Sequence, residues 1–113
     1  LKLSLYHERL SIIRRFRSTC NGIRSLDRIS QEDIYVLDDI KTLFNKEIGN
    51  LISQLFIKNQ LRVNMLYIMK TSNNYEEVRN KNEESCKISA EIVELLDAIM
   101  DSIKKQTNLS INI

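Results

Sequence analysis

A chain of 113 residues is the size of one domain and can bury a core without disulfides or metal staples. Apolar residues at 42% and charged residues at 28% exclude a disordered chain, and no apolar run approaches the roughly 20 residues of a bilayer span. The formal net charge of +2 conceals a gradient: residues 1 to 28 hold seven bases against two acids, and residues 71 to 113 hold eight acids against five bases. The chain has no proline and only two glycines, Gly22 and Gly49, while apolar residues recur every three or four positions. Pro and Gly are the main opponents of helix continuation, so the expectation is an all-α fold of a few long amphipathic helices. The first residue is Leu1 rather than Met, and the chain reads as a fragment or a processed product.

The first helix is expected from about residue 3 to about residue 24, with Tyr6, Leu10, Ile13, Phe16, Cys20 and Ile23 on one stripe. Arg9, Arg14, Arg15 and Arg17 fall largely off that stripe, toward water or another chain. The pattern fails between Asn21 and Ile29. Ser30-Gln31-Glu32-Asp33 then offers a capping side chain followed by acids, which the helix dipole favours in a first turn.

The second helix carries Ile34, Leu37, Ile40, Phe44, Ile48, Leu51 and Leu55, and continues through Leu61, Met65 and Ile68 to Thr71-Ser72-Asn73-Asn74. Its apolar phase runs through Gly49-Asn50 without a jump, so the reading is one helix nearly 40 residues long. The alternative is a break at Gly49-Asn50 that folds residues 51 to 69 back and closes a four-helix bundle. The third helix is expected to start near Asn73, three residues before Glu76 in capping-box spacing, and to run through Val78, Ile92, Leu96, Ile99 and Ile103. Residues 1–106 form a single helical-bundle domain on this reading, and 107–113 form a flexible tail.

At about 1.5 Å per residue the three helices would be about 35, 60 and 50 Å long, which do not match. In an antiparallel three-helix bundle, residues 56 to 70 would project past the start of the first helix. The projection carries Phe56, Ile57, Leu61, Val63, Met65, Leu66, Ile68 and Met69, more apolar surface than Tyr75 and Val78 can cover. Phe56, Ile57, Leu61, Met65, Leu66, Ile68 and Met69 are therefore the expected protein interface, covered by upstream residues, a second copy or a different protein.

Chemistry is sparse. Cys20 and Cys86 would lie about 30 Å apart in height, far beyond the roughly 7 Å limit for bridging, and are expected as free thiols in a reducing, intracellular compartment. Two cysteines and one histidine give no zinc spacing, and no Gly-rich phosphate loop or nucleophile–base pair exists. The sequon Asn108-Leu109-Ser110 is about what eleven asparagines produce by chance. His7-Glu8 on a helix resembles the phosphoacceptor helix of sensor histidine kinases, which implies phosphorylation of the histidine. The family's following proline is absent from Arg9-Leu10-Ser11-Ile12, and the chain has no room for the kinase nucleotide-binding domain.

The functional expectation is a non-enzymatic helical interaction or scaffold module, a subunit or domain of a larger assembly, using the apolar overhang. Its partners are another protein chain or a second copy, with no cofactor, metal or small-molecule substrate. In shape the domain is similar to three-helix modules of membrane-fusion SNARE proteins, adaptor subunits and kinetochore or replication complexes. The alternative is nucleic-acid or anionic-surface binding through Arg9, Arg14, Arg15 and Arg17, for which several cations on one stripe are needed.

Overall fold

The computed structural model describes the backbone of residues 2–107 and the side chains of residues 6–107. It is all-α. Four helical segments follow one another: α1 (Lys2–Leu26), α2 (Gln31–Leu43), α3 (Lys46–Thr71) and α4 (Tyr75–Thr107). Thr107, placed in the tail by the sequence reading, is the last residue of α4, and residues 108–113 of that tail lie outside the described residues.

Each boundary has a local cause. After α1, Asp27 takes a left-handed conformation with φ 51° and donates its N–H to the Ile23 carbonyl at 2.9 Å, a helix-terminating geometry that Asp tolerates better than most residues. Ser30 then caps α2 in a capping box. Its hydroxyl accepts from the Asp33 N–H at 3.2 Å, and its own N–H donates to the Asp33 carboxylate at 2.8 Å. The cap of α4 is Asn74, one residue later than expected: its Oδ1 accepts from the backbone of Glu76 and Glu77 at 3.0 and 3.2 Å.

The long second helix is interrupted, and the interruption is at Phe44-Asn45. Gly49 and Asn50 lie inside α3. Phe44 and Asn45 are both extended, with ψ 179° and 177°, and Asn45 caps α3 by accepting from the Ile48 N–H at 3.1 Å. The chain folds back here. Lys41 Nζ donates to Ser53 Oγ at 3.2 Å, although twelve residues of straight helix would separate the two by about 18 Å. Neither Gly nor Pro is involved; an asparagine cap and a phenylalanine anchored in the core make the corner.

The ion pairs set the packing. Arg15 meets Asp39 at 3.4 Å, and Arg9 stacks 5.5 Å from the Phe44 ring centre, so α1 and α2 are antiparallel. Arg24 pairs with Asp97, which lays α1 antiparallel to α4; Lys58 pairs with Glu91, which does the same for α3 and α4. The core between them holds Ile13, Phe16 and Ile23 from α1, Leu37 and Ile40 from α2, Ile48, Ile52 and Leu55 from α3, and Ile92, Leu96, Ile99 and Ile103 from α4, all essentially without solvent exposure. Burial of large apolar side chains at about 1.5 to 3 kcal/mol each is the main favourable term. Among the described residues no helix is long and apolar enough to cross a membrane.

The molecule is long. Its extents are 58 × 24 × 21 Å and its radius of gyration is 16.2 Å, against about 13 Å for a compact domain of this length. The reason is that α1 ends at the level of Arg62, where Asp27 and Ser89 both bond its guanidinium, while α3 and α4 run on. Residues 63–71 and 75–88 form a two-helix arm. An overhang was expected past the start of the first helix; because the chain folds back at Phe44-Asn45, it lies past the end of α1 instead.

Candidate functional site

The arm is exposed along a line that is largely buried in the body of the molecule. On α3, steps of four and three residues connect Ile48, Ile52, Leu55, Asn59, Arg62 and Leu66. Exposure along it is 0% at Ile48, Ile52 and Leu55, 2% at Arg62 and 47% at Leu66. Val63 and Tyr67, about 60° and 100° round the helix from Leu66, are exposed as well. On α4, the line that faces α1 through Lys104, Met100 and Asp97 continues at the same steps through Val93, Ala90, Cys86, Asn82, Arg79 and Tyr75. Tyr75 at the tip is 80% exposed. Between the two lines, beyond the last residue of α1, lies an exposed face formed by two helices alone, the trough of the arm.

The seven expected interface residues do not share one surface. Phe56 and Met65 pack partly against the core, and Ile68 and Met69 are half-buried. Ile57, Leu61 and Leu66 are exposed, but five residues of helix turn Leu66 about 140° away from Leu61, so Leu66 faces the trough and Ile57 and Leu61 face elsewhere. Apolar content selected all seven; orientation relative to α1 sorts them, and that required knowing where α1 ends. Tyr67 and Tyr75, which the sequence reading left off the interface, are more exposed than any of the seven.

At the base of the arm, Arg62 Nη1 donates to Asp27 Oδ1 at 2.8 Å and to Ser89 Oγ at 3.1 Å, and Nη2 reaches Asn59 Oδ1 at 3.4 Å. A guanidinium so deeply buried is retained only when its donors are met, and here three residues from three segments meet them.

The arginine set of α1 divides. Arg15 is taken up by Asp39, and Arg9 lies over Phe44 with its Nε buried and, among the described residues, without a hydrogen-bond partner. Arg14 and Arg17 remain exposed. Arg17 lines an open cleft of about 430 Å³ between α1 and α4 together with Arg24, Lys104, Asp97 and Asp101, so its surroundings carry both signs. The four arginines do not form one stripe.

His7 is exposed and touches Tyr6 edge-on, with ring centres 5.6 Å apart. Cys20 and Cys86 are both free; Cys86 is exposed on the arm and Cys20 is buried. Burial pushes the Cys20 thiol up to about 12, since the thiolate would be desolvated; Asp97 and Asp33 add to the rise, and Arg24 opposes it. Among the described residues no three His, Cys, Asp or Glu side chains come together in a way that would hold a metal ion. No protein-family model, curated protein or solved structure matches this chain.

Proposed function

We propose that the chain is a non-enzymatic helical interaction module that binds another protein chain through the trough of the α3–α4 arm, centred on Val63, Leu66 and Tyr67. The observation that carries this reading is the course of one stripe on α3, buried at Ile48, Ile52, Leu55 and Arg62 and half exposed one turn later at Leu66. The apolar stripe is interrupted by Asn59 and Arg62 at the base of the arm and resumes at Leu66. Beyond that level the cover is gone, because α1 ends at Leu26 and α2 begins only at Gln31. An apolar stripe that keeps its register beyond its own cover suits a helix-in-groove contact, in which anchors three and four residues apart enter or receive a partner.

The test is a probe of the trough that does not require the partner. Binding of the dye 8-anilinonaphthalene-1-sulfonate should be measured for the parent chain, for Leu66→Lys with Val63→Lys, and for Ile57→Lys as a control on the other face. Loss of dye binding in the double variant alone, with its unfolding midpoint unchanged, is the expected result. An unfolding midpoint that falls as it does for a core variant such as Leu96→Ala would make Leu66 and Val63 ordinary packing residues and end the reading. Met65 is unsuitable for this purpose, since it packs on the core and its replacement by Lys would destabilise the fold.

The second reading, anion binding by α1, rests on the exposure of Arg14 and Arg17. Its test is the salt dependence of affinity for a duplex DNA. Two phosphate contacts would give a slope of about −2 in log K against log salt, and no binding at about 50 mM salt would remove it.

A further inference from the structure

The occupant of the trough follows from what the trough lacks and from the charges around it. In the body of the molecule the stripe of α3 is enclosed by four helical segments; in the arm only two are present, and a second arm would supply the other two. A helix continued upstream from α1 could not do so. The end of α1 adjoining the arm is its last turn, at Asp27, and a backward extension would run away from Leu66.

The charge pattern favours a copy of the same chain over a strongly charged partner. Residues 63 to 88 hold four acids, Glu76, Glu77, Glu83 and Glu84, and four bases, Lys70, Arg79, Lys81 and Lys87, so two arms do not repel. On the flank of α4 beside the trough, Arg79 and Glu83 stand one turn apart, both exposed and neither in an ion pair among the described residues. A cation and an anion four residues apart on one helix are self-complementary when that helix meets itself antiparallel about a two-fold axis. Each Arg79 then faces the Glu83 of the other copy.

We propose that two copies of this chain associate arm to arm about a two-fold axis near the level of Lys81, with Leu66, Val63 and Tyr67 of each arm buried against the other and Arg79 paired with Glu83 across the axis. This rests on the arm being an interaction surface at all, and adds the identity of the partner and the direction of pairing.

The experiment is the absolute mass of the full 113-residue chain by light scattering, from about 5 µM to about 500 µM, a range that brackets micromolar association. The expected result is a mass rising from 13.3 kDa to twice that value, with Leu66→Lys remaining at 13.3 kDa throughout. Orientation is read from charge exchange. Arg79→Glu and Glu83→Arg should each weaken the dimer at least tenfold at low salt, and both together in one chain should restore it, since a two-fold axis then pairs the exchanged charges. A dimer that survives Leu66→Lys overturns the proposal, because association would then use another surface; the arm reading falls with it only if dye binding also survives Leu66→Lys with Val63→Lys. A chain monomeric at every concentration overturns the second copy alone, provided that Leu66→Lys with Val63→Lys still abolishes dye binding. Restoration absent from the doubly exchanged chain overturns the antiparallel pairing.

Discussion

Asp27→Asn tests the junction between body and arm most directly, because it removes one charge and leaves the rest of the geometry in place. Asn tolerates the left-handed φ of 51° nearly as well as Asp, and its amide oxygen still accepts from Arg62 Nη1. What is lost is the difference between a bond to a charged acceptor, about 1.5–3 kcal/mol, and one to a neutral acceptor, about 0.5–1.5 kcal/mol. The Asp27 side chain is 68% exposed while that of Arg62 is 3% exposed, so solvent screens the carboxylate and the lower end applies, about 1 kcal/mol. With an unfolding entropy of about 2.1 cal/mol/K per residue, this corresponds to a midpoint lower by about 4 °C. Asp27→Ala should cost more, about 3 kcal/mol, since it also removes the acceptor and the short polar side chain that eases the left-handed conformation, which costs an ordinary side chain about 1–2 kcal/mol. Thermal and urea unfolding followed by circular dichroism give both numbers. If Asp27→Asn matches the parent chain within about 0.3 kcal/mol while Asp27→Ala falls, the carboxylate contributes only backbone conformation, and the ion pair has no energetic role.

Gly49 lies within α3 without a positive φ, and a β-carbon there would meet only Lys41 Cγ at 3.5 Å, so Gly49→Ala should stabilise by up to about 1 kcal/mol in urea titrations; a loss of stability would mean that the chain bends at Gly49 after all. The raised Cys20 thiol keeps its proton in the fold after the unfolded chain has lost it. Stability is therefore fully present below the ordinary value of 9.0 and is lost as pH rises from there toward 12, by about 1 kcal/mol near pH 10, and Cys20→Ala should remove that part of the pH dependence. Amides of residues 64–71 and 76–84 should exchange with solvent at least about tenfold faster than those of Ile92–Ile103 in dilute solution, because the arm buries few large side chains; equal protection would make arm and body one cooperative unit.

Helix content, the capping side chain at Ser30 and the core stripe of α4 were legible in the sequence, because each depends on residues within a few positions of one another. Ile92, Leu96, Ile99 and Ile103 declare their face by spacing alone. The corner at Phe44-Asn45 was not legible. Its apolar phase continues from Ile40 through Phe44 to Ile48, so periodicity sees one helix, and the only visible breaker nearby was Gly49. The signal that existed was Asn45, an asparagine three residues before an apolar position, which is a cap only if the preceding residue is held extended. Phe44 is held so by the core and by Arg9 above its ring, contacts between residues 35 apart in the chain. The division of the arginine set was not legible for the same reason: Arg9 and Arg15 point toward α2, whose course was not yet known.

The placement of Arg62 explains why the trough begins where it does. An apolar residue at that position would extend the stripe of α3 without interruption, and α1 could then slide by a turn, about 5.4 Å, at little cost, since one apolar level packs much like the next. A guanidinium allows no such freedom. Its bonds to Asp27, Ser89 and Asn59 are met at one height only, and a shift of one turn would leave a buried charge without its carboxylate. The pair therefore acts as a register lock, and the left-handed turn at the same Asp27 stops α1 at that height. Leu66, one turn further along α3, is uncovered because two properties of a single residue, its conformation and its charge, both act at the end of α1. On this argument Arg62→Met should leave overall stability within about 1 kcal/mol of the parent chain, since well-packed apolar replacements of buried charges are often neutral. The same variant should blur the boundary between body and arm, and the contrast in exchange between Leu66 and Leu55 should shrink.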